Sequence, residues 1–221
     1  MEKKSKSHTE GPRSLNETPT QYFNPRNDTY HTRHYLPHWQ QNNVPFFVTF
    51  RLADSLPKEK LDRWKAEREA WLREHPEPWN ESTESEYHDR FSGQVDEWLD
   101  QGSGSCLLRH EHNAQVIANS LMHFDGARYQ LWAFVVMPNH VHACLQTNHP
   151  NTLHAILKSW KGYTARAINK RIGRKGTLWQ NDYFDRLIRN ESHLFKVIEY
   201  IRNNPRKANL RIGEYILWEK T

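Results

Sequence analysis

Cysteine is scarce. Cys106 and Cys144 are the only two in 221 residues. Both fall inside apolar patterns, which reads as reduced, small core side chains and not as a disulfide framework. Long apolar runs are absent too. No stretch reaches the length of a membrane span, and the N-terminal residues lack the apolar segment of a secretory leader. A cytoplasmic protein without a membrane partner is the expectation. Apolar residues make up 36% of the chain and the mean hydropathy is −0.97. Much of the chain must therefore be solvated helix face or tail.

Acidic residues are missing where bases gather. The net charge is +5, yet residues 54–100 hold 14 of the 26 acids against seven bases, a local balance of −7 that leaves +12 on the remainder. Leu153 to Gly176 contains Lys158, Lys161, Arg166, Lys170, Arg171, Arg174 and Lys175 and no acid. Trp160 and Tyr163 interleave with these bases. Such a helix suits the tracking of phosphates, with aromatic faces for bases; the plainer alternative is an exposed basic helix with aromatic packing.

Residues 1–34 are polar and read as a flexible arm. Val44 to Leu52 is aromatic and β-branched, a first strand with Pro45 at its start. Pro57 opens a helix to about Arg73, with a stripe of Leu61, Trp64, Trp71 and Leu72. A loop from Glu74 to Glu86 precedes a helix from Tyr87 to Leu99, and Gly102 to Ser105 is turn chemistry. A helix from Cys106 to Met122 follows. Asp125-Gly126 turns into an almost wholly apolar strand, Tyr129 to Met137, expected to be covered on both faces. Asn151-Thr152 caps a helix to Arg171. Leu178 to Ile188 reads as a strand and Ser192 to Asn204 as a helix ended by Pro205. The order is βαββαβ. That predicts an α+β fold with a ferredoxin-like, RRM-like antiparallel sheet and helices on one face. A helical insertion at about 54–103 and a helix after the last strand are added to it. Residues 35–210 would form the single domain and 211–221 a tail.

Between the second and third strands stands Met137-Pro138-Asn139-His140-Val141-His142-Ala143-Cys144-Leu145. Strand side chains alternate faces, so Val141, Ala143 and Leu145 face a core while His140 and His142 stand together on the other side. Two imidazoles on one rigid strand make a ready pair of metal ligands. With 14 histidines, chance supplies on the order of one His-x-His. His110-Glu111-His112 is such a decoy, placed in a helix where residues two apart do not share a face. On a helical wheel, Leu194, Val197, Ile198 and Ile201 form the packing stripe of the last helix, and Tyr200 falls nearly opposite with Lys196, Asn203 and Asn204. Tyr200 and Asn204 are one turn apart. Two imidazoles and the Asn204 amide oxygen would give a mixed donor set with open positions, suited to Mg2+ or Mn2+. Tyr200 would then be placed as a nucleophile toward a phosphate polarised by the ion.

Four blocks occur in order: Phe46-Phe47-Val48-Thr49-Phe50-Arg51-Leu52, Val136-Met137-Pro138-Asn139-His140-Val141-His142, Trp179-Gln180-Asn181-Asp182-Tyr183-Phe184-Asp185-Arg186, and Tyr200-Ile201-Arg202-Asn203-Asn204-Pro205. Together they resemble the REP-associated tyrosine transposases, relatives of the small single-tyrosine insertion-sequence transposases among the HUH single-strand nucleases. The resemblance spans about residues 35–210. It implies His140, His142 and Asn204 as metal ligands and Tyr200 as the attacking group on a phosphodiester of single-stranded DNA. A 5′-phosphotyrosine and a free 3′-OH would result, open to reversal for strand joining. The implied partner is single-stranded or hairpin DNA, such as REP and other palindromic elements. Gln180 and the seven bases with Tyr163 are the expected DNA contacts.

The chain departs from this pattern at 54–100, longer than compact relatives need and too acidic to be the main DNA contact. Relatives include monomers and homodimers, so either state is open. Two alternatives stand beside the transposase reading: a non-catalytic nucleic-acid-binding module on a ferredoxin-like sheet, and a replication-initiator or relaxase-type nuclease with the same chemistry.

Overall fold

A computed structural model describes residues 20–24, 26–27, 30–33, 37–76 and 79–220. Residues 1–19 of the expected arm, and Tyr35 and Leu36 at the expected domain start, lie outside the described residues. Strands β1 (Tyr30–Arg33) and β2 (Pro37–Gln40) pair as a separate antiparallel hairpin. The main sheet contains β3 (Pro45–Arg51), β4 (Tyr129–Val136), β5 (His140–Thr147), β6 (Phe184–Leu187) and β7 (Ile216–Glu219). Its order is β6-β3-β5-β4-β7 with every pair antiparallel. Without β7 this is the ferredoxin-like arrangement, so the fold is α+β as read from the element order. The segment taken as a tail supplies β7, which covers the β4 edge. Arg202 forms an ion pair with Glu219 and holds that strand to the last helix.

Alternation along the strands divides the core. Phe46, Val48, Phe50, Val141, Ala143 and Leu145 face α4 (Glu111–Met122) and α5 (Leu153–Ile172). Phe47, Thr49 and Arg51 share the opposite face with His140, His142 and Cys144, through the register pairs Phe47↔Cys144, Thr49↔His142 and Arg51↔His140. That second face is packed by α6 (Glu191–Lys207), whose Leu194, Val197 and Ile201 meet Ala133, Val135 and Met137. The two ferredoxin-like helices thus share one face, as expected, and the added helix α6 covers the other.

The insertion contains α1 (Lys58–Glu74), α2 (Glu81–Tyr87), a π-helical turn at His88–Ser92 and α3 (Gly93–Asp100). Its helix begins before Tyr87 because Asn80 Oδ1 accepts the Thr83 N–H at 2.8 Å and caps the first turn. Trp64, Trp71, Tyr87, Phe91, Val95 and Leu99 form an apolar cluster of its own. The Trp64 ring meets Phe184 of β6 edge-on, so the insertion leans on the sheet. Its two ends meet at a neck. Ser105 N donates to Asp54 Oδ2 at 2.9 Å. Gly104 has φ +87°, and a Cβ there would stand 2.4 Å from the Asp54 carbonyl oxygen. Only glycine fits.

Three boundaries differ from the sequence reading. The expected helix from Cys106 is a 3-10 turn at Leu107–Arg109 followed by a break at His110. Leu108 N donates to Pro138 O, which ties this segment to the β4–β5 turn. The strand expected from Leu178 starts only at Phe184, after an isolated Leu52–Trp179 bridge. Pro205 lies inside α6, which continues to Lys207. A proline removes one donor but leaves acceptors free, and here Leu210 N donates to the Pro205 carbonyl and Ala208 N to that of Asn204.

Candidate active site

His140 and His142 are both fully buried, with their Nε2 atoms 3.0 Å apart. Their second nitrogens have fixed partners. Asn139 Nδ2 donates to the carbonyls of Leu99 and Ser103, so its Oδ1 is turned toward His140 Nδ1 at 2.7 Å. An amide oxygen accepts, so His140 carries its proton on Nδ1 and presents a bare Nε2. His142 Nδ1 meets Thr49 Oγ1 at 2.8 Å. A hydroxyl both donates and accepts, so His142 can adopt either tautomer. Burial lowers the His140 pKa to about 3. Burial, then the neighbouring His140 and Lys207, lowers that of His142 as well. Both imidazoles are thus held neutral, the form that binds metal.

Tyr200 reaches this pair from α6. Its ring stands edge-on to His142, centroids 5.4 Å apart, and edge-on to Phe47, which stacks on His142. Asn204, placed on the exposed side by the helical wheel, is buried at 1% exposure. That expectation misplaced it: at about 100° per residue Asn204 stands only about 20° from Val197, on the flank of the packing stripe. Asn204 tempers the proton affinity of the Tyr200 hydroxyl, yet neither Oδ1 nor Nδ2 makes a hydrogen bond of ordinary geometry. A buried amide so poorly satisfied has capacity left for a further partner.

The donor set fits a divalent cation. Two nitrogens bound at right angles, each about 2.1 Å from one ion, stand about 3.0 Å apart. That matches the two Nε2 atoms. Among the described residues no group of three His, Cys, Asp or Glu converges; Asn204, buried on α6, carries an amide oxygen of the kind a hard cation accepts. Arg51, buried at 4% exposure and paired in register with His140, brings a cation to the same strand end. Burial lowers its pKa to about 10. Sequence reasoning passed over it, although its position opposite His140 follows from the antiparallel register.

The insertion completes the site. Tyr200 Oη donates to Asp96 Oδ2 at 2.8 Å, and Lys207 Nζ lies 3.3 Å from Asp100 Oδ2. Asp96 and Asp100 are one turn apart on α3, as i and i+4. Burial raises the Asp96 pKa to about 7, partly countered by the Tyr200 hydrogen bond. Burial, then the Asp96 charge, raises that of Tyr200. No motif marks Asp96 in the sequence, because its partner is 104 positions away. Beside these groups, Lys196, Glu199, Tyr200, Asn203, Asn204 and Lys207 line an open cavity of about 340 Å³. Another of about 350 Å³ borders His140, Asn139 and Arg211.

The basic helix lies elsewhere. α5 packs on the sheet face opposite Tyr200, so Lys158, Lys161, Tyr163, Arg166, Lys170 and Arg171 do not converge on it. Nor do Arg174 and Lys175, which follow the end of α5. They meet the site only at the end of the sheet. Lys161 Nζ donates to the Asn181 carbonyl at 2.7 Å, and Gln180 N to that of Arg51 at 2.9 Å. Tyr163 is 54% exposed.

A buried His-x-His pair, a helical tyrosine and an asparagine thus gather on one face of the ferredoxin-like sheet. The family model described as "Transposase IS200 like" matches residues 109–204, which include all four groups. The chain belongs to this family of IS200-like transposases. An uncharacterized protein of Haemophilus influenzae is 30% identical over 148 residues, 52% of this chain and 76% of the relative. Among solved structures, a REP-associated tyrosine transposase bound to a REP hairpin aligns at 15% identity and TM-score 0.36, covering 80% of this chain and 73% of that one. A putative transposase from Deinococcus radiodurans aligns at 15% identity and TM-score 0.29, covering 82% and 97%. No helix among the described residues is long and apolar enough to cross a membrane.

Proposed function

We propose that this transposase cleaves and rejoins single-stranded, hairpin-bearing DNA through a covalent bond between Tyr200 and a 5′-phosphate. The observation that carries the reading is the placement of the Tyr200 ring against His142, beside the two facing Nε2 atoms and the buried Asn204 amide. His140, His142 and Asn204 would hold a Mg2+ or Mn2+ ion, which supplies polarisation of the scissile phosphate and charge stabilisation in the transition state.

The remaining roles belong to the chain. Asn139 sets the His140 tautomer, and Thr49 holds the second nitrogen of His142. Phe47 fixes the plane of His142 and the approach of Tyr200. The cavity beside α6, with Lys196 and Lys207 in its lining, admits a phosphodiester to Tyr200 without passing the sheet. Tyr200 Oη attacks phosphorus, the bond to the 3′-oxygen breaks, and the phosphotyrosine keeps the bond energy for rejoining. The bases of α5 and the loop after it, with Gln180 and Tyr163, would hold the duplex stem at the end of the sheet, away from the cleaved strand.

The test is incubation of the purified protein with Mn2+ and a labelled hairpin oligonucleotide carrying single-stranded flanks. The expected product is a band of protein mass that keeps the label in denaturing gels and disappears with Tyr200→Phe. Cleavage without such a band would assign the attack to water. Tight binding without cleavage, unchanged by His140→Ala, would make the chain a binding module.

A further inference from the structure

The geometry points to Asp96, on the inserted helix α3, as the group that takes the proton from Tyr200 when the phenol attacks DNA. This rests on the reading of Tyr200 as nucleophile and adds a catalytic residue from outside the four motif blocks. A phenol is a weak attacker until its proton leaves. Tyr200 Oη already donates to Asp96 Oδ2 at 2.8 Å, so the acceptor is in place before substrate arrives. With its hydrogen committed to Asp96, the hydroxyl oxygen keeps its lone pairs on the side away from the carboxylate, next to the Asn204 amide. Tyr200 also lines the cavity beside α6, where a phosphate would meet that oxygen.

Other candidate bases around the hydroxyl are committed elsewhere. His140 and His142 turn their Nε2 atoms toward each other. Asp100, one turn further along α3, faces Lys207. Asn204 cannot accept a proton at ordinary pH. Asp96 is held by a rigid support: α3 is anchored by buried Val95 and Leu99, and Leu99 and Ser103 carry the Asn139 amide that orients His140. One inserted segment thus sets the acceptor and steadies a metal-facing imidazole.

The step balances. The Oη–H proton passes to Asp96 Oδ2 as the Oη–P bond forms. The P–O3′ bond breaks, and the departing 3′-oxygen takes its proton from solvent water. In rejoining, the 3′-OH gives its proton to solvent water as its oxygen attacks phosphorus, the Oη–P bond breaks, and the released phenolate recovers the proton from Asp96. The acidity of the insertion then has a chemical use at this one position.

The experiment compares the full-length parent with Asp96→Asn on the same hairpin substrate in Mn2+. Asparagine keeps the shape and can accept the hydroxyl's hydrogen bond, but it cannot take the proton. Hairpin affinity is expected to stay within about twofold while covalent capture slows by about 100-fold or more, the usual worth of a general base. Asp96→Glu, which restores a carboxylate, is expected to recover a large part of the rate. A ring-fluorinated tyrosine at position 200, which releases its proton more easily, is expected to speed Asp96→Asn but not His140→Ala. An unchanged rate in Asp96→Asn, or a faster one, overturns the proposal; the first leaves Asp96 as a hydrogen-bond partner and the second makes it a latch. Absence of covalent capture by the parent overturns the reading of Tyr200 itself, and the parent control separates the two failures.

Discussion

Replacing Asp96 by asparagine should stabilise the metal-free protein, by an amount that grows with pH. In the folded chain this carboxyl is raised from its ordinary 3.8 to about 7, chiefly by burial. Below about pH 4 it is neutral in both folded and unfolded chains and costs nothing. Between pH 4 and 7 the unfolded chain ionises while the folded chain keeps its proton, so the parent loses stability as pH rises. Above 7 the penalty is complete and flat. The difference in proton affinity corresponds to about 4 kcal/mol. Relaxation and water entry soften buried charges, so about 2 kcal/mol is the working figure. Asparagine removes the titration. Urea unfolding of parent and variant in a chelator should show the gap between them widening by about 1–2 kcal/mol from pH 5 to pH 8. Each kcal/mol moves Tm by about 2–4 °C in a chain of this size. A gap that stays constant or narrows with pH would refute the burial argument.

Mn2+ affinity, measured by calorimetry, should change less than about threefold between pH 7.5 and 5.5, because burial keeps His140 and His142 neutral where ordinary imidazoles protonate. A drop of tenfold or more would contradict this, and His140→Ala should abolish the binding. Gly104→Ala should cost about 2–3 kcal/mol in thermal unfolding, from the strained backbone and the clash with Asp54. Phe91→Ala should cost about 3–5 kcal/mol by cavity formation in the cluster of the insertion, and should slow covalent capture by loosening α3. The double charge reversal of Arg171 and Lys175 to Glu should weaken hairpin binding and lower its salt slope by about 2, while capture at saturating DNA persists.

The part of this site that was legible in the sequence is local. Val141, Ala143 and Leu145 alternate with the two histidines, and a period of two is enough to put both imidazoles on one face. Tyr200 and Asn204 are one turn apart on any helix. The relation of the ferredoxin-like strands followed from the order of apolar segments. What the sequence hid depends on elements far apart along the chain. Asn204 is polar and reads with the exposed residues, although it stands only about 20° from Val197 on the wheel and is buried with the stripe. Asp96 carries no pattern of its own; it is one acid among 14 in residues 54–100, distinguished solely by the tyrosine it meets. The basic stretch was plain in composition, but composition has no direction, and the α5 stripe of Ile156, Trp160 and Ile168 turns it to the far face of the sheet. Ile216–Glu219 is too short to register as a strand until β4 offers an open edge.

Because both ends of residues 54–104 converge on the Asp54–Gly104 contact, the whole segment leaves and re-enters the fold at one place. A descendant of this chain could shed it, bridging β3 to the Leu107 turn with a few residues, and every sheet register would survive. The imidazole couple and the phenol would remain, but stripped of their roof, and the phenol would face water in place of a carboxylate. The segment can therefore be gained or lost as a unit, and with it a different way of handling one proton.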